Sequence, residues 1–341
     1  MPTQRRLWAR SSLGAAAMVA AASCAAAATA ESVGDATASV AKFADVAQLG
    51  KGVVAGQRVR PFLIDVSPVS VGAFARFVEA NPGFRTDAER YGWSFVFEPL
   101  MTQQARDDAA RTDAPRSPNA TWWVEVQGAS WLRPGGGQAD PATNWQLPVT
   151  HVSMEDAAAF CRWREGKLPT AAQWEWAAGA GVDGAELPWK PSAGDAATMA
   201  NLWTAEAGPE EAAAPLAADA DGFGGPAPVT QLLHQNDWGM RHLIGNTWEW
   251  TQTRFRGERA VPARWDSGTL WTLKGGSFLD RLGGVFGEAG GVTIMSEAGN
   301  TADMSSSHIG FRCTYKAAPA GAELVIVDDW SSENDDEHDE L

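Results

Sequence analysis

The sequence predicts an α+β fold, a single compact domain rich in irregular backbone and built from short elements. Three observations predict it. The 341 residues hold 35 Gly and 17 Trp but only 2 Tyr, a mixture that favours many turns packed around large indoles. Helical patterns are short and individually capped, and brief β-branched or aromatic runs lie between them. Long stretches without any period separate these elements. Hydrophobic residues make up 45% of the chain and charged residues 20%, which is enough apolar side chain for a core and excludes wholesale disorder.

The elements follow in order. Residues 1–30 read as a signal peptide, with Arg5, Arg6 and Arg10, an Ala-rich stretch from Leu13 to Ala28, and Ala28-Thr29-Ala30 as the cleavage site. So Ala-rich a stretch gains little from a bilayer, and no membrane association is expected after cleavage. Residues 31–57 are small and polar and read as a linker or arm; the domain is expected over 58–316. Within it, Phe62 to Val66 reads as a strand. Ser70 caps a helix carrying Val71, Phe74, Phe77 and Val78, which Asn81-Pro82-Gly83 stops. Thr86-Asp87-Ala88-Glu89 is a capping box for a helix ending near Gly92, and Trp93 to Phe97 reads as the next strand. Ser153 with Asp156 starts a helix through Phe160, Cys161 and Trp163; Thr170 with Gln173 starts another through Trp174 and Ala178. Loops are expected from Ala180 to Thr230, and a strand from Thr272 to Phe278. Residues 317–341 form an acidic tail ending in His338-Asp339-Glu340-Leu341, an endoplasmic reticulum retrieval signal. Signal and tail together point to the endoplasmic reticulum lumen; a bacterial periplasm or secretion is the alternative.

Charge and motif content then exclude function classes. Net charge is -15, and removing residues 1–30 takes away three of the 27 basic residues and no acid, leaving about -18. Nucleic acid is therefore not a partner. No phosphate-binding, dinucleotide-binding or nucleophile-elbow motif occurs, and the histidines at 151, 234, 242, 308 and 338 lack zinc or facial-triad spacing. Of three cysteines, Cys24 leaves with the signal. Cys161 and Cys313 remain, as a disulfide, as buried thiols or as a two-thiolate metal site. Asn119-Ala120-Thr121 is the one N-glycosylation sequon, with Asn119 as acceptor in a lumenal protein.

Seven segments in order then resemble one family. They are Pro61 to Val69, Trp93 to Glu98, Pro148 to Ser153, Lys167 to Thr170, Gly245-Asn246-Thr247-Trp248-Glu249-Trp250-Thr251, Gly275-Gly276-Ser277 and Gly310-Phe311-Arg312-Cys313. They are similar to the formylglycine-generating enzyme or sulfatase-modifying factor family. The resemblance implies a C-type-lectin-like domain, a Cys161–Cys313 disulfide, and calcium as the bound metal. It maps one calcium site onto Asn201, Leu202, Asp221 and Phe223, with Leu202 and Phe223 serving through their carbonyls, and a second onto His242, Gly245, Thr247 and Glu249, with Glu249 giving its carboxylate and the others their carbonyls. Without the family, Asp219-Ala220-Asp221-Gly222 reads as a plain polar turn.

One departure decides the expected function. Active family members carry two cysteines soon after Gly-Gly-Ser that hold copper(I) and oxidise a substrate cysteine to formylglycine. Here Asp280 stands at the first of these positions, and no cysteine lies between Ser277 and Cys313. Cu(I) prefers soft thiolate to hard carboxylate, so copper is not expected. The chain resembles most the catalytically silent branch of the family. That branch implies a lumenal protein that binds sulfatase polypeptides or the active formylglycine-generating enzyme and modulates cysteine conversion, with a dimer as an open alternative to the monomer. The competing readings are an active oxidase using an unrecognised site, and an exported bacterial relative acting on a small molecule or peptide.

Overall fold

The computed structural model describes residues 46–118, 120–137, 145–190, 196–204, 208–212, 221–257, 269–282 and 291–317. The signal segment, the tail from 318 onward, Asn119 and Asp219 lie outside the described residues.

The chain enters through β1 (Val46–Leu49) and a hairpin of β2 (Gly52–Val54) and β3 (Gln57–Val59). The hairpin turns at Ala55 and Gly56, both in the left-handed region at φ 46° and 79°, as a two-residue hairpin loop demands. This corrects the arm expected over 31–57 in its second half. Leu49 and Val54 are buried in the core, single apolar anchors whose small and polar neighbours give the stretch no period to read. β4 (Phe62–Asp65) follows, buried throughout.

Next come α1 (Val71–Ala80), capped by Ser70, and α2 (Asp87–Tyr91), whose Thr86/Glu89 capping box and left-handed Gly92 stop match the reading of the sequence. β5 (Trp93–Phe97) leads to α3 (Gln103–Thr112) and then to β6 (Arg116–Ser117) and β7 (Ala120–Gln127). The capping boxes of Ser153/Asp156 and Thr170/Gln173 open α4 (Met154–Trp163) and α5 (Ala171–Ala178). The stretch expected to be loop includes one helical turn, α6 (Ala196–Met199), and a 3-10 turn at Pro209–Glu211. β8 (Trp248–Arg254), β9 (Leu270–Lys274), β10 (Glu297–Thr301), β11 (Ile309–Gly310) and β12 (Thr314–Lys316) complete the chain. The strand expected to reach Phe278 ends at Lys274, where two glycines turn the backbone away.

Three larger sheets result, in the orders β1-β4-β12, β5-β7-β6 and β10-β9-β8-β11. In the last, β11 runs parallel to β8, with Ile309 opposite Trp248 and Gly310 opposite Glu249. This pairing brings Gly-Phe-Arg-Cys against the Trp-Glu-Trp strand. One core cluster gathers Phe74, Phe77, Phe160, Phe311 and Trp250 around the disulfide. Cys161 and Cys313 are bonded, their Cα atoms 5.6 Å apart, and both are fully buried. A second cluster joins Phe62 and Ile64 to Trp174, Leu243 and Ile244. Among the described residues no helix is long and apolar enough to cross a membrane.

Candidate functional site

The site is built where β9 stops. Gly275 and Gly276 lie at φ 98° and 74°, and a Cβ on Gly275 would sit 2.5 Å from the Leu243 carbonyl oxygen. Only glycine fits that approach. The chain then folds over Asp280, which is 2% exposed. Asp280 Oδ2 accepts from the Ser277 N–H at 2.7 Å and from the Ser277 hydroxyl at 3.0 Å, while the Ser277 Oγ accepts from Leu279 N–H at 3.3 Å. The Asp280 carbonyl accepts from Trp203 N–H at 2.9 Å. Asp280 is thus bound into the Gly-Gly-Ser turn, a hard carboxylate unsuited to Cu(I). With Cys161 and Cys313 oxidised, the described residues hold no thiol. The site does not fit copper.

Aromatic residues wall this turn. Phe97, Trp203, Phe278 and Leu279 are buried together, with Trp122 and Trp123 partly covered beside them. His308 lies against Trp123 at 4.3 Å between ring centroids and pairs with the Ser306 hydroxyl at 2.9 Å. His151 pairs with the Ser94 hydroxyl at 2.8 Å, and Ser94 in turn with Ser305 at 2.8 Å. Burial pushes the His151 imidazole down to about 3. Burial and the neighbouring His151 depress His308 as well. Both rings are neutral at physiological pH. Sequence reasoning missed this histidine and serine cluster, because Ser94, His151 and the 305–308 run lie in three separated segments. The Ser305-Ser306-Ser307-His308 run just before Gly310 was the only local hint.

The two expected calcium sets are neighbours. Asn246, fully buried, joins them: its Oδ1 accepts from Asn201 Nδ2 at 3.1 Å and from Ala227 N–H at 2.7 Å, and its N–H donates to the Asn201 carbonyl at 2.8 Å. Gly245 takes φ 83° since a Cβ there would meet the Asn201 carbonyl at 2.3 Å. In the first set, Asn201 Nδ2 also donates to the Gly225 carbonyl at 2.8 Å, which draws the Asp221–Gly225 loop onto Asn201 and Leu202. Asp221 turns that loop by accepting from Phe223 N–H at 2.9 Å. A carboxylate, an amide and two main-chain carbonyls on joined loops are the hard-oxygen chemistry that Ca2+ takes. The first set fits.

The second set does not. Glu249, fully buried, accepts from Arg312 at both oxygens, each bond 2.7 Å, and from the Trp174 indole at 2.8 Å. His242 sits at φ 52° and is 2% exposed, its ring beside the main chain of Pro228 and Gln231. Burial, with Arg312 and Arg241 nearby, pushes its imidazole down to about 3. Its carbonyl accepts from Arg312 at 3.3 Å. A guanidinium therefore holds the carboxylate that a calcium ion would need at Glu249. Gly245 and Thr247, expected to serve through their carbonyls, are both buried. Among the described residues no three His, Cys, Asp or Glu side chains cluster as a metal site.

The family model for the sulfatase-modifying factor enzyme 1-like domain matches residues 34–317, and the chain belongs to this family. It is 36% identical over 275 residues to the inactive C-alpha-formylglycine-generating enzyme 2 of Bos taurus, covering 81% of this chain and 84% of that one. The formylglycine-generating enzyme of Thermomonospora curvata is also 36% identical, over 285 residues, covering 77% of this chain and 85% of that one. A crystal structure of CarF matches 81% of this chain and 99% of that chain, at 16% identity and a TM-score of 0.49. The likeness to the inactive relative supports a non-catalytic family member. Since percent identity alone does not separate the two relatives, the chemistry at Asp280 carries the distinction.

Proposed function

We propose that this chain is a catalytically silent, lumenal binding protein of its family, taking sulfatase polypeptides or the active formylglycine-generating enzyme as partners and modulating cysteine-to-formylglycine conversion. The observation that carries the reading is the fate of the copper position. One carboxylate oxygen of Asp280 there accepts two hydrogen bonds from its own turn, and Cys161 and Cys313 are spent in a buried disulfide. Trp122 and Trp123, partly exposed beside the buried Phe278, are the aromatic surface a peptide would meet. Calcium is held at Asn201, Leu202, Asp221 and Phe223 and stiffens the loops that carry them. Retention in the endoplasmic reticulum rests on the terminal tetrapeptide.

The test is direct. Purified protein is incubated with copper(I), oxygen and a Cys-x-Pro-x-Arg peptide, and the products are read by mass spectrometry. Peptide binding without aldehyde is expected. Aldehyde above a metal-free control would overturn the silent reading, and failure to bind both peptide and active enzyme would remove the modulatory role.

A further inference from the structure

We infer that Arg312 stands in for a second calcium ion, so that this chain binds calcium at the Asn201 and Asp221 loops and none at Glu249. The inference deepens the calcium part of the proposed function. Arg312 is fully buried and its guanidinium donates in three directions. Nε and Nη2 clasp Glu249; Nη1 donates to the carbonyls of Asp65 and Val66 at 3.1 and 2.8 Å; Nη2 also reaches the carbonyls of Arg241 and His242 at 2.8 and 3.3 Å. One organic cation thus ties the end of β4, the 241–242 loop and β8 to the segment between β11 and β12. Cross-linking separate loops through carboxylate and carbonyl oxygens is what a structural calcium does.

Two arguments exclude a metal beside it. A carboxylate offers about four lone-pair positions, and Arg312 and Trp174 take three of those of Glu249. The remaining one would put a doubly charged ion next to a buried guanidinium, where little water screens the repulsion. The charge is also already balanced. Glu249 pairs with Arg312, and the nearby Asp65 pairs with Arg164 at 3.4 Å while accepting from Tyr315 OH and Cys313 N–H. No unmatched carboxylate is left there to compensate two more positive charges. The His242 carbonyl, the oxygen that a calcium ion would take there, already accepts from Arg312 Nη2 at 3.3 Å.

Equilibrium dialysis against radioactive calcium, with the full chain, decides the matter. Wild type is expected to bind one ion per chain and Asp221→Asn none. Two ions in wild type, or one ion surviving in Asp221→Asn, would overturn the inference. No binding at all would refute the Asn201 and Asp221 site of the proposed function while upholding the exclusion at Glu249. In Glu249→Gln the stoichiometry should stay unchanged, and the melting temperature should fall by the same amount in calcium and in chelator. A fall confined to calcium would count against Arg312 as the cation. Should that variant fail to fold, the Asp221→Asn count stands as the deciding measurement.

Discussion

Asp280 closes the Gly-Gly-Ser turn with a carboxylate that accepts from both main chain and hydroxyl. It ties Ser277 to itself through main chain and side chain and closes the turn that the two glycines open. Removing it strands a buried N–H and a buried hydroxyl, each costing about 1–3 kcal/mol. Asp280→Ala is therefore expected to lower unfolding free energy by about 2 kcal/mol or more, measured by denaturant titration; an unchanged midpoint would show that the turn does not depend on these bonds. Asp280→Cys should yield no aldehyde from the Cys-x-Pro-x-Arg peptide, since one thiolate without a second provides only half of the family's copper site. Some of this was legible. Ser277 followed three residues later by an acid is a recognisable local hydrogen-bonding pattern, and the position of Asp280 was readable from its distance to Gly-Gly-Ser. The Arg312–Glu249 clasp was not, because it joins residues 63 apart and each has an ordinary role in its own motif.

At the level of elements, what could be read was what the chain encodes locally. Ser70, Thr86, Ser153 and Thr170 announce their helices because each side chain satisfies an N–H within three residues. α3 escaped notice since it is polar on nearly every face and only Ala105 is buried. β7 escaped because its half-buried pattern does not alternate cleanly. The helix starts also interact. Asp156 caps α4 through Ser153 N–H and, with the same oxygen, accepts from Asp87 N–H at the start of α2. Burial raises its carboxyl to about 6, against the pull of these backbone bonds. A folded-state value above the unfolded one near 3.8 means the fold prefers the protonated acid. This contribution is complete below pH 3.8 and is lost as pH rises to about 6, a change of about 3 kcal/mol. Asp156→Asn keeps an acceptor for both N–H groups and does not titrate. Between pH 4 and pH 7 its stability should rise relative to wild type by up to that amount; a difference that does not vary with pH would show that Asp156 is not strained by burial.

Across the whole molecule, the disulfide joins the middle of the chain to its last strand. Cys161 sits on α4 and Cys313 just before β12, 152 residues apart, so the bond closes most of the domain into one loop. In the chain-entropy model such a loop removes on the order of 4–5 kcal/mol of unfolded-state freedom, a large share of the roughly 5–15 kcal/mol that holds a typical domain together. The same bond lies inside the cluster of Phe74, Phe77, Phe160 and Phe311 and is fully buried. Reductant must therefore wait for the core to open, because exchange needs a thiolate to reach a sulfur. Native protein treated with dithiothreitol and then an alkylating reagent should gain no label at either cysteine, while protein reduced in denaturant should gain two. Once reduced, it should unfold at a much lower denaturant concentration. Rapid double labelling under native conditions would show that the core around Phe160 and Phe311 does not close over the bond, and with it would fall the argument that no thiol is available for chemistry.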